Sequence, residues 1–207
     1  MNHPIADNAA KANQPLPRLL LAHGAGAPMD SFFMDELVAA LGSFGVEALR
    51  FEFPYMAKRR NDGVRRPPNP MPVLLDCFRE QFYASSQPIF IGGKSLGGRV
   101  ASLLADELQA PGLLCFGYPF HPQGKPDKLR TEHLRSLATP ALILQGTRDP
   151  LGTPAEVVSY GLSESIKVSW LESGDHDFKP LKRSGLTQDE LIEQAAACAA
   201  EFIRQHS

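Results

Sequence analysis

PIFIGGKSLGGRVASLL, residues Pro88–Leu104, is the stretch on which the reading of this chain turns. An apolar, strand-like run (PIFIGG) enters a glycine-rich turn, and a helix-like run (SLGGRVASLLADELQ) leaves it. Two motifs overlap in the turn. GGKS invites a phosphate-cradling loop, whereas GKSLG has the G-x-S-x-G form of a nucleophile elbow.

A phosphate loop needs G-x-x-x-x-G-K-[ST], with a first glycine that lets successive backbone N–H groups face the phosphates. Counting back from Gly93-Lys94-Ser95, that position holds Pro88, which has no N–H, and Ile89 to Ile91 read as strand rather than loop. The elbow instead needs small residues two before and two after the serine, at a sharp strand-to-helix turn. Gly93 and Gly97 meet that demand around Ser95, Gly98 adds room, and Lys94 is the variable residue beside the nucleophile.

A serine hydroxyl is a poor nucleophile until a base takes its proton and an acid orients that base. Beyond an elbow the partners follow in the order serine, Asp or Glu, histidine, each after a later strand. Asp149 follows the strand-like ALILQG and His176 follows VSWLES, so order and spacing nominate Ser95, Asp149 and His176. His121 and His133 precede Asp149. Asp175 and Asp177 flank His176, read as solvated loop acids, and make no metal site by themselves. Acyl transfer also needs N–H donors for the developing oxyanion. AHGAGA, after the first strand, offers Ala25, which pairs with Leu96, the residue after the nucleophile; His23 shapes this loop and Gly24 lets substrate approach.

Working outward, short apolar runs alternate with helical periodicity. RLLLAH, VEALRFEF, PIFIGG, GLLCFGY, PALILQG and IKVSWLES read as strands. Asp30–Ser43, Met71–Ser85 and the run after Ser95 read as helices, and TPAE (Thr153–Glu156) and TQDE (Thr187–Glu190) mark helix starts. The expectation is an α/β fold with a mostly parallel sheet of about six strands flanked by helices. Residues 1–17 read as a loose arm and residues 18–207 as one domain.

With elbow, acid, histidine and HG loop present, the chain resembles an α/β-hydrolase over nearly its whole length. LAHGAGAPMDS, RFEFPYM, GGKSLGGRVAS and LILQGTRDP resemble, more narrowly, a small family of dienelactone-hydrolase-like enzymes related to the testis-expressed-protein and NSL-complex-subunit-3-like proteins. The resemblance implies a compact core without a large lid. It departs from dienelactone hydrolases proper, whose nucleophile is cysteine where this chain has Ser95.

A formal net charge of -2 over 207 residues speaks against a general nucleic-acid binder. Cys77, Cys115 and Cys198 are widely spaced, without a C-x-x-C pattern, which suits a reducing cytoplasm rather than a disulfide framework or zinc site. No run approaches a membrane span. The expected activity is cleavage of a small-molecule ester or thioester with no cofactor, and the oligomeric state is left open. The alternative is a catalytically silent interaction module that uses the basic stretch PYMAKRRNDGVRRPPNP, read as a loop. Arg59 in that stretch, and Tyr118 and His121 in a short lid after the fourth strand, are candidate substrate contacts.

Overall fold

The computed structural model describes residues 16–85 and 88–207. The arm expected over residues 1–17 therefore lies outside the described residues, apart from its last two positions. Six strands form one sheet: β1 (Arg18–Ala22), β2 (Glu47–Phe51), β3 (Phe90–Lys94), β4 (Leu113–Phe116), β5 (Ala141–Gly146) and β6 (Ile166–Leu171). Their spatial order is β2-β1-β3-β4-β5-β6, and every neighbouring pair is parallel. The helices are α1 (Phe32–Ser43), α2 (Pro54–Asp62), α3 (Met71–Tyr83), α4 (Leu96–Leu104), α5 (Pro154–Val157) and α6 (Gln188–Gln205).

The strands are near-continuous apolar runs because helices cover both faces of the sheet, and alternate side chains enter opposite cores. Leu20, Ala22, Leu113, Cys115 and Ile143 face one core, with Leu74 and Phe78 of α3 and Val100 and Leu104 of α4. Leu19, Leu21, Leu114, Phe116 and Leu144 face the other, against α1 and α6. Helix α1 buries Phe33, Met34, Leu37 and Leu41 at helical spacing. Helix α6 lays Ala195, Ala196, Ala199 and Ala200 inward, and these small side chains let it lie close to α1. Full burial of one Leu or Phe side chain is worth about 1.5–3 kcal/mol.

Strand β1 lies between β2 and β3, so the chain leaves it toward one edge of the sheet and later returns on its other side. Loops that follow β1 and β3 diverge at such a point, and the crevice between them is where ligands bind in open parallel sheets. The HG loop follows β1 and the GKSLG turn ends β3.

Two local expectations need correction. The basic stretch is not all loop: residues 54–62 form α2, with Pro54 in its first turn and Gly63 left-handed (φ 73°) just beyond its end. That proline-first, glycine-last signature was legible. The helix after Ser95 stops at Leu104 rather than Gln109, and its chain turns at Gln109 (φ 49°) before Pro111. Both capping boxes form, although α5 is a single turn; at α6 the Thr187 hydroxyl accepts from Glu190 N at 3.2 Å and the Glu190 carboxylate accepts from Thr187 N at 2.7 Å. Among the described residues no helix is long and apolar enough to cross a membrane.

Candidate active site

Ser95 sits between β3 and α4 with φ 52° and ψ -110°, a conformation a β-carbon resists. Close packing enforces it. A β-carbon on Gly93 would lie 2.5 Å from Gly97 C and 2.7 Å from the Ala22 oxygen, and one on Gly97 would overlap that same carbonyl. Ser95 N donates to Phe116 O at 3.1 Å, which ties the turn to β4. The hydroxyl is thereby presented at the crevice, and Leu96, as the first residue of α4, has no partner for its N–H within the helix.

His176 follows β6 and Asp149 follows β5. The Ser95 hydroxyl lies 2.9 Å from His176 Nε2, and His176 Nδ1 lies 2.7 Å from Asp149 Oδ2. Asp149 is fully buried, so its carboxylate needs donors besides the imidazole. Leu151 N donates to its Oδ1 at 2.8 Å and Gln145 Nε2 to its Oδ2 at 2.9 Å. Gln145, the inward side chain near the end of β5, was not singled out from sequence. It also accepts from Tyr118 N at 2.7 Å, so it clips the acid to the chain leaving β4.

The HG loop is braced from below. His23 is buried; its Nδ1 donates to Gly24 O at 2.7 Å while Nε2 accepts from Phe53 N at 3.1 Å. Both ring nitrogens are used in the neutral form, and burial pulls the imidazole below its usual pKa. Tyr55 Oη donates toward Gly24 O and Ala25 O, at 3.2 and 3.0 Å. Residues 24–27, with Phe33 and Met34 of α1, Ser95 and His176, line a cleft of about 450 Å³.

The remaining candidates lie elsewhere. Arg59 donates to Gly26 O at 3.2 Å and so props the loop at the rim of the cleft. Tyr118 and His121 are buried rather than set against substrate. Tyr118 packs against Phe120 with tilted rings, centroids 4.9 Å apart, and donates from its Oη to Arg130 O, and His121 Nδ1 donates to Pro122 O. The start of that segment, residues 118–121, is packed into the core rather than set over the cleft, and its two aromatic rings gain from that burial. The basic cluster is compensated in part: Arg60 pairs with Asp30 and Glu52, and Arg66 with Asp62.

The sequence marks Lys94 only as the variable residue beside Ser95, but its side chain is buried, with Nζ donating to His176 O at 2.7 Å. The lysine of the GGKS letters thus reaches the histidine loop, whereas in a phosphate loop it would reach an anion. Asp175 and Asp177 are also more than solvated acids. Asp175 Oδ1 accepts from the N–H groups of Asp177 and Lys179, and Asp177 Oδ1 lies 3.4 Å from Lys94 Nζ.

A second serine–histidine contact exists away from the cleft. Ser102 of α4 lies 2.8 Å from His133 Nε2, but the Ser102 hydroxyl donates to Arg99 O at 2.8 Å.

A family model described as an alpha/beta hydrolase domain matches residues 15–204. Comparison with curated proteins finds no significant match. Among solved structures, dienelactone hydrolase from Anabaena variabilis is similar with a TM-score of 0.70 and 18% identity, covering 94% of this chain and 88% of its own. The ferulic acid complex of Est1E from Butyrivibrio proteoclasticus gives 0.67 and 17%, over 95% and 92%. The monoacylglycerol lipase of Paleococcus ferrophilus gives 0.67 and 14%, over 93% and 96%. At these identities the likeness is one of fold, and the family rests on the domain match across nearly the whole sequence: the chain belongs to the α/β-hydrolases.

Proposed function

We propose that the protein is a serine hydrolase that cleaves a small ester or thioester through Ser95, His176 and Asp149. The observation that carries this reading is the unbroken hydrogen-bonded line from a strained, cleft-facing serine through an imidazole to a buried carboxylate. Ser95 Oγ attacks the carbonyl carbon while its proton passes to His176 Nε2. Asp149 holds the Nδ1–H and stabilises the imidazolium, and the N–H groups of Leu96 and Ala25 receive the oxyanion. Collapse breaks the bond to the leaving group, which takes the proton from Nε2. Water, deprotonated by the same imidazole, then releases the acid and restores Ser95. No step calls for a metal or organic cofactor.

The cleft volume lies at the lower end of the roughly 300–1,000 Å³ typical of small-molecule sites, and Phe33 and Met34 make its wall apolar. Both features support a short acyl group. The esterase, lipase and dienelactone hydrolase among the similar folds are in keeping with ester chemistry. The four quoted sequence stretches support the narrower kinship with the dienelactone-hydrolase-like and NSL-subunit-like proteins, and a serine nucleophile directs the reading toward esters other than dienelactones. The alternative, a silent module acting through its basic stretch, is weakened because Arg60 and Arg66 are spent on internal carboxylates.

The test is hydrolysis of p-nitrophenyl acetate and longer p-nitrophenyl esters by the wild type, Ser95→Ala and His176→Ala. Turnover that favours the short ester and vanishes in both variants supports the reading. Turnover that survives Ser95→Ala refutes it.

A further inference from the structure

We propose that Lys94 is a positioning residue for His176, a charged strut that sets the histidine loop on the serine. The proposal rests on the reading of Ser95 and His176 above and adds a residue that the triad itself does not contain.

Both ends of the strut adjoin the reacting groups. Lys94 directly precedes Ser95, and the carbonyl that its ammonium reaches, at 2.7 Å, belongs to His176 itself. These two residues stand 82 positions apart in the chain. His176 is carried on the connection between β6 and α6, with part of its side chain open to solvent, and such loops are held by their contacts more than by their own backbone. A charge-assisted hydrogen bond to the main chain of the base itself limits how far the imidazole can drift from the hydroxyl.

The surrounding residues keep a channel for this side chain. Gly117 is left-handed (φ 71°), and a β-carbon there would stand 3.1 Å from Lys94 Nζ and 3.0 Å from His176 O. The ammonium's remaining capacity goes to Asp177 Oδ1 at 3.4 Å and to the face of Phe33, 5.3 Å from the ring centroid. Lys94 and Asp177 both line the cleft, and the contacts of the ammonium with the His176 carbonyl and with Asp177 tie its charge to the histidine loop. Burial pulls the lysine below its usual pKa, and Asp177, Asp149 and Asp175 oppose that pull.

The experiment compares wild type, Lys94→Met and two variants of the exposed Asp177. It reads the rate constant of covalent labelling by a fluorophosphonate, its half-saturating concentration, and the NMR signal of the His176 Nδ1–H bonded to Asp149. Lys94→Met keeps length and bulk but loses the donor. Its labelling rate is expected to fall on the order of 10- to 100-fold with half-saturation unchanged, and its Nδ1–H signal to broaden. Asp177→Asn leaves the bond to the carbonyl intact and costs about fivefold at most, as for a half-exposed ion pair. Asp177→Lys changes an exposed side chain and leaves the core untouched; by setting a second cation against the strut it is expected to slow labelling well beyond Asp177→Asn. Wild-type rates and an unchanged His176 signal in Lys94→Met, or a wild-type rate in Asp177→Lys, would overturn the proposal. A wild type that does not label, with an Nδ1–H signal that Lys94→Met nonetheless disturbs, leaves the strut standing and removes the nucleophile reading instead.

Discussion

The protein holds two serine–histidine contacts of almost equal length, Ser95–His176 at 2.9 Å and Ser102–His133 at 2.8 Å. Only the first has the surroundings that the proposed chemistry needs. Ser95 sits on a strained turn at the mouth of a cleft, and its histidine is backed by a buried carboxylate. Ser102 lies inside a regular helix and spends its proton on Arg99 O one turn back, so it receives a hydrogen bond from His133 Nε2–H. No carboxylate among the described residues bonds to His133, whose pKa is lowered by burial and by the nearby Arg99. The lesson is that a short Ser–His distance carries little meaning alone. Backbone strain, access and the third partner separate a nucleophile from a packing contact.

Removing each hydroxyl in turn separates the two contacts. Ser95→Ala is expected to lower p-nitrophenyl ester turnover on the order of 10³-fold or more, and Ser102→Ala to leave it unchanged. Loss of activity in the second variant, with its fold intact, would reverse the assignment. Next in size, Asp149→Asn is expected to cost about 10³- to 10⁴-fold in kcat, because an amide there favours the wrong imidazole tautomer. Equal kcat values for Asp149→Asn and wild type would show that the third partner has no part in catalysis.

Smaller effects belong to stability. Ser102→Ala leaves the part-buried His133 N–H with only the longer contact to Tyr118 Oη, at 3.5 Å, and should lower the urea unfolding free energy by about 1 kcal/mol. No change would mean that the contact is idle even as packing. Acid should act through the same ring. His133 and His23 both have folded-state pKa values depressed below the usual value near 6.5, so the unfolded chain binds protons that the folded chain refuses. Stability therefore rises with pH through this window, and the thermal midpoint should drop as pH falls from about 7.5 to about 5.5. Replacing His133 with Gln should flatten part of that slope. A midpoint indifferent to pH in the wild type would contradict the burial of both rings.

The glycine-bracketed turn at Ser95 and the two side chains that lie beside it were legible because each is signalled locally. Gly93 and Gly97 bracket Ser95 in five letters, and Asp149 and His176 each trail an apolar run that ends a strand. The sheet was legible for the same reason: strands buried on both faces read as uninterrupted apolar runs. Residues whose role lies in a distant partner were not. Gln145 meets Tyr118 27 positions away, and Lys94 meets His176 82 positions away; neither distance leaves a mark in the sequence around them. Tyr118 and His121 misled because an aromatic beside a strand end looks the same whether it turns to the cleft or to the core. Helix α2 was missed although Pro54 and Gly63 announced its ends, since the charged run between them resembled a loop.

The most direct test of the central claim is to react the protein with a fluorophosphonate and map the adduct by mass spectrometry. One adduct is expected, on Ser95, absent from Ser95→Ala and retained in Ser102→Ala. An adduct on Ser102, or an unlabelled wild type at neutral pH, would contradict it.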